Sequence, residues 1–126
     1  MFQRKLMVVL ILILAGLTCL YAADVTGKWN ASFDSQVGPQ KYVFDLKSEG
    51  TKVTGKAISD IGGATATTEI TEGVLQGDQI SFVENLDYQG MELKIAYKGT
   101  VSGDEMKLSR TVAGQEGETF VAKRQK

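Results

Sequence analysis

Four polar side chains in this sequence sit at positions whose neighbours are otherwise apolar: Tyr42, Glu84, Tyr97 and Arg110. Glu84 follows Ile80 and Phe82 at alternate positions, and Arg110 follows Met106 and Leu108 in the same way. Alternate residues of a strand point to one side, so each charge shares a face with core-forming residues. A charge taken out of water alone is costly and needs a partner. The strands that carry Glu84 and Arg110 flank the one that carries Tyr97, so a network of these three inside the fold is expected. Two chemistries fit it: an internal ion pair that fixes strand register, or a polar anchor for the carboxylate or hydroxyl of a ligand. Tyr42, on an earlier strand, adds a flat surface and a hydroxyl to such a site, or packs in the core with its hydroxyl at the rim.

Catalysis finds little support in the same residues. Histidine is absent, which removes the commonest general base and metal ligand. Hydrolysis by paired carboxylates needs two acids facing one cleft, and Glu84 is the only acid placed inside. The one cysteine, Cys19, lies in the N-terminal segment, and no Asp-rich calcium loop is present. The chain is therefore expected not to be an enzyme, with no catalytic residue, metal site or cofactor.

That N-terminal segment has the form of a secretory signal peptide: Arg4 and Lys5, an apolar run from Leu6 to Leu17, then small and neutral residues before Asp24. Cleavage is expected after Ala22, leaving one domain over 23–126 and a secreted or periplasmic product. An uncleaved anchor is a second reading. Lipidation at Cys19 is a third, although "GLT" before it is a poor lipobox. Cleavage removes two bases and no acid, moving the formal charge from −1 to −3. A mildly acidic domain does not favour nucleic acid, which demands clustered Lys and Arg.

The elements that must position the four polar residues are strands. From Val25 onward apolar and polar residues alternate, with turn signals every dozen residues or so, the spacing of an all-β sandwich or barrel. Eight strands joined by short turns are counted and no helix. A phase slip near Glu72 and Gly73 predicts a bulge. "VTGK" at 25–28 and 53–56, "LQGD" and "VSGD" read as recurring hairpin chemistry, with no helix after any of them to build a phosphate loop. Closing an eight-stranded meander removes its edges. Lys28, Asp34, Lys41, Asp45, Lys47, Lys52, Lys56, Glu69, Glu92, Lys94, Lys98 and Lys107 fall on the polar face, opposite to the pattern of a membrane barrel. The expected fold is a soluble, eight-stranded, antiparallel up-and-down β-barrel with no membrane insertion after signal cleavage.

"GKW" at 27–29 on the first strand, together with Arg124 on the last, resembles the Gly-x-Trp and closing-strand Arg arrangement of the calycin group, the lipocalins and avidins. The resemblance implies that Arg124 caps Trp29 at the closed end of the barrel, with Gly27 allowing close packing there. The several tryptophans that surround biotin in avidins are missing, since Trp29 is the only one. "DVTGKW", "GDQISFVE" and "YKGTVSGDEMKLSR" also resemble small exported bacterial proteins of unassigned role, and similar segments accompany extracellular carbohydrate-active hydrolases or esterases.

An eight-stranded barrel is just wide enough to be filled by side chains or to hold one small ligand. Gly55, Ala57, Ser59, Ala64, Ala66 and Thr68 are small along the inward parity and leave space for a ligand, or let the barrel flatten. Phe82, Met91, Leu93 and Ile95 form the opposing wall. Tyr88, on a turn, is either exposed for contact or folded over the mouth. The expected function is a non-catalytic binding module for a small amphipathic or polar-headed molecule, using Tyr42, Glu84, Tyr97 and Arg110. The alternative is an accessory protein for extracellular polysaccharide-degrading enzymes, acting through its outer surface.

Overall fold

Alternation with two-residue interruptions is realised as a continuous meander in the computed structural model, which describes residues 23–126. The expected signal segment, 1–22, lies outside the described residues. The strands are β1 (Gly27–Ser35), β2 (Gly38–Glu49), β3 (Lys52–Ile61), β4 (Ala64–Gln76), β5 (Gln79–Tyr88), β6 (Met91–Ser102), β7 (Glu105–Val112) and β8 (Gln115–Arg124). Each pairs antiparallel with its neighbour in sequence, and β8 returns to β1, so the sheet is a closed eight-stranded up-and-down barrel. Every connection is a two-residue hairpin. At one end Gly62 and Gly63, Gln89 and Gly90, and Ala113 and Gly114 all have positive φ, the backbone of hairpin turns that match the strand twist.

The apolar parity points inward. Trp29, Tyr42, Phe44, Phe82, Tyr97, Met106 and Leu108 are fully buried, and their rings interlock, with Tyr42 5.2 Å from Phe44 and Phe82 4.9 Å from Tyr97. The outward parity carries the lysines and acids that alternation assigned to it, an outer face that does not suit hydrocarbon. No described helix is long and apolar enough to cross a membrane.

Irregularities in the pairing give the barrel two unlike ends. The bulge expected at Glu72 and Gly73 is present: Glu72 has φ 53°, and the register of β4 against β5 shifts between Thr71 and Val74. Beyond Ile70↔Glu84 the two strands no longer pair. β6 meets β7 only from Ile95↔Val112 onward. Residues 85–94 are therefore a two-stranded ribbon that runs past its neighbours. Met91, expected on the inward wall, stands at the tip of that ribbon and is 64 % exposed. It has the right parity but lies beyond the barrel.

The seam between β1 and β8 is equally short, with Trp29↔Arg124 and Asn30↔Lys123 as its paired positions. Further along, Phe33 stacks on Phe120 at 4.4 Å in place of ladder hydrogen bonds. The opposite end is sealed. Trp29 donates its indole N–H to the Val25 carbonyl at 3.0 Å, and the Arg124 guanidinium lies 4.3 Å from its ring centroid. Arg124 also donates to the carbonyls of Thr26 and Asp24 and to Asp104. Gly27, at φ +134°, is the residue that permits this: a Cβ there would sit 3.2 Å from Arg124 Nη1.

Candidate functional site

The four polar residues picked out by parity all point into the barrel, but they form two groups. Tyr97, on β6, donates its hydroxyl to Glu84 Oε1 at 2.8 Å across the β5–β6 pair. Arg110, on β7, turns to residues that strand reading did not single out. Its Nε donates to Glu118 Oε1 at 2.6 Å and its Nη2 to Gln40 Oε1 at 3.3 Å. The guanidinium also stacks 4.5 Å from the Phe33 ring centroid. The expected network of Glu84, Tyr97 and Arg110 is thus split: Tyr97 and Glu84 pair with each other, and the carboxylate that neutralises Arg110 is Glu118.

Both additions follow the local chain. Gln40 has the inward parity of Tyr42 and Phe44, and Glu118 that of Phe120 and Ala122. Glu118 follows Gln115, Glu116 and Gly117, whose composition is that of a turn, yet β8 already starts at Gln115. A register shift between Ser109 and Thr111 brings Arg110 against this early part of β8.

Burial controls the protonation of the inner group. Glu84 has no exposed surface, and burial pushes its carboxyl pKa up against the opposing pull of the Tyr97 hydrogen bond and the charge of Arg110. Burial, reinforced by the Glu84 charge, raises Tyr42 to about 12 and Tyr97 well above the ordinary phenol value. For Arg110 burial works downward but is outweighed by Tyr97 and Glu118, so the guanidinium stays charged. Three buried atoms among the described residues are left without a hydrogen bond: Tyr42 Oη, Glu84 Oε2 and Arg110 Nη1.

The raised Glu84 pKa has a measurable consequence. The folded protein holds a proton that the unfolded chain has already released, so stability falls as pH rises from the ordinary value of 4.5 through the raised folded value. The slope in that window is expected to approach ~1.4 kcal/mol per pH unit. Urea midpoints measured across this range should fall in the wild type and much less in Glu84→Gln. Equal slopes in the two proteins would show that Glu84 ionises in the folded state as it does in water.

Above this cluster the barrel opens. A cavity of about 380 Å³ lies at the end formed by the β1–β2, β5–β6 and β7–β8 hairpins. Its apolar walls include Ile61, Leu86, Leu93 and Ile95, and its polar lining includes Gln40, Arg110 and Glu118. The inward face of the projecting ribbon supplies Leu86, Tyr88 and Leu93, so Tyr88 is half-buried over the mouth. Of the four expected ligand residues Arg110 lines the cavity, while Tyr42, Glu84 and Tyr97 lie among the buried core. The small-residue wall does not line it: Ala64 is exposed and Ala66 and Thr68 are half-buried, where β4 has parted from β5.

A larger hollow of about 580 Å³ runs over the outside of β4 to β8, beside Ser81, Lys98, Lys107 and Thr119. None of the unsatisfied buried polar atoms belongs to its lining. Among the described residues no cluster of three or more His, Cys, Asp or Glu is arranged to hold a metal ion.

Fold and site together define a closed eight-stranded antiparallel barrel, sealed at one end by a Trp–Arg pair and open at the other over a polar floor. No protein-family model, curated protein or solved structure matches the chain.

Proposed function

We propose that this chain is an exported, non-catalytic binding module of calycin-like build that holds a small amphipathic molecule in the mouth of its barrel. The observation that carries the reading is the mouth cavity, in which Leu86, Leu93 and Ile95 face Arg110 and Gln40 across about 380 Å³. Apolar walls with a few placed polar groups are what small-molecule sites consist of, and this volume is within their usual range of roughly 300–1,000 Å³. The Arg124 cap on Trp29 supports the calycin-like assignment, because it is the pairing that the Gly-x-Trp resemblance implies.

Native and denaturing mass spectra of the protein exported from a host cell test this. Extra mass in the native spectrum, lost on denaturation, is the expected result. Leu93→Trp, which fills the cavity with an indole, should abolish it. A retained mass indifferent to Leu93→Trp would place the ligand elsewhere.

The accessory-protein reading would use the outer hollow beside Lys98 and Lys107. It lacks the row of exposed aromatic rings by which such a surface would hold sugar: among the described residues the exposed large apolar side chains are Val37, Ile58, Val74, Met91 and Val121. A wild-type protein that is free of bound mass and pulls down a polysaccharide-degrading enzyme would favour it over the barrel site.

A further inference from the structure

The charges around the mouth select the kind of molecule that the cavity takes. On the floor, the Arg110 charge is already matched by Glu118 at 2.6 Å and Gln40 occupies Nη2, which leaves Nη1 as the donor open to an acceptor on a ligand. An anionic head reaching Arg110 would have to stand beside Glu118 or displace it. On the rim the imbalance is larger. Asp34, Asp60, Asp87, Glu92 and Glu116 all lie within four residues of the hairpin turns at this end, and none is in a salt bridge among the described residues. The lysines there are Lys41 and Lys94, and Lys94 points to Glu72 at 3.9 Å.

Asp87 and Glu92 sit directly opposite each other across the β5–β6 ribbon. Like charges in that relation destabilise a strand pair. The ribbon therefore bears an electrostatic cost at the point where it overhangs the cavity. Charges of one sign around a low-dielectric opening focus their field into it. An anion is repelled at the rim, and the paired Arg110 and Glu118 on the floor offer no unmatched charge to an ion of either sign.

We infer that the mouth binds uncharged amphipathic molecules, such as alcohols, amides or esters with an apolar body, and that its acidic rim excludes anions of the same shape. This rests on the reading of the cavity as a ligand site.

The test uses two fluorescent probes with one skeleton: N-phenyl-1-naphthylamine, which is uncharged, and 1-anilinonaphthalene-8-sulfonate, which adds a sulfonate. Both are titrated into the mature wild-type protein at about 0.01 M salt, where screening extends only beyond roughly 30 Å. The uncharged probe should bind at least about tenfold more tightly, a gap of the size that focused surface potentials produce. The gap should narrow at about 1 M salt, where the Debye length is roughly 3 Å. The triple variant Asp34→Asn, Asp87→Asn, Glu92→Gln, whose three positions lie on the rim and outside the cavity lining, should strengthen binding of the sulfonate and leave the uncharged probe unaffected.

Equal or tighter binding of the sulfonate by the wild type would overturn the inference while leaving the ligand site standing. So would a gap that survives both high salt and the triple variant. Binding of neither probe, or binding that Leu93→Trp does not weaken, would overturn the site itself and the inference with it.

Discussion

Trp29→Ala is expected to cost about 3–5 kcal/mol of folding stability, the range for emptying the site of a large buried aromatic. The indole has no exposed surface and packs in the core cluster at the sealed end of the barrel. Its loss removes buried area, leaves the Val25 carbonyl without the indole N–H, and deprives Arg124 of the ring that it covers. Arg124 is also the hinge of the seam, since Trp29↔Arg124 is one of two paired positions closing β8 onto β1. A domain of this size has a total stability of roughly 5–15 kcal/mol, so the variant should lose a large share of it and unfold at a much lower urea concentration than the wild type. Trp29→Phe keeps most of the area and loses the indole hydrogen bond, and should cost roughly 1–3 kcal/mol through the unsatisfied carbonyl. Urea unfolding of the two variants, followed by fluorescence for the phenylalanine protein's tyrosines and by circular dichroism for both, reads the difference. A loss below about 1 kcal/mol for Trp29→Ala would mean that the closed end holds without its plug.

The sealed end was legible because its signals are local in sequence. The alternation of Val25, Trp29 and Ala31 set the inward face, and the Gly27–Trp29 spacing with Arg124 carried the calycin resemblance. The turns were legible for a similar reason: a glycine stands at, or directly after, each place where the backbone takes positive φ. The bulge at Glu72 showed as a break in parity, which is how an extra residue on one strand presents itself.

The mouth was harder to read, and the reason is geometric. Parity tells which side of a strand a residue faces, but not how far along the barrel axis the neighbouring strands extend. Met91 has inward parity and still projects into solvent, because neither β4 nor β7 pairs with the ribbon at that height. Ala64, Ala66 and Thr68 were expected to leave room inside or to let the barrel flatten, whereas the strand carrying them separates from β5. Glu118 was missed for a simpler cause. A strand beginning with Gln115, Glu116 and Gly117 reads as turn by composition, yet the parity of Phe120 and Ala122 runs back through Glu118 without a break. Extending that parity two positions would have found the partner of Arg110.

That partner sets up the second large effect, and its asymmetry is the informative part. The Arg110 side chain is 4 % exposed, and the Glu118 side chain 25 %. Glu118→Ala strands a guanidinium that cannot shed its proton and has little access to water. Removing one member of a buried pair costs about 3–5 kcal/mol, and the partial exposure of Glu118 places the expected loss near the lower end, about 3 kcal/mol. Arg110→Met leaves a carboxylate that can turn to water at the mouth, while the thioether chain occupies the space against Phe33. Its expected cost is less than half as great. The double variant should then be more stable than Glu118→Ala alone, because it removes the stranded charge. Denaturant unfolding of the wild type, both single variants and the double variant closes the thermodynamic cycle. A double variant as unstable as the sum of the two singles would mean that the 2.6 Å contact contributes no coupling. An equal loss in the two singles would mean that Glu118 is as deeply committed to the interior as Arg110, and that the floor of the mouth has no side open to water through which a ligand's head could replace it.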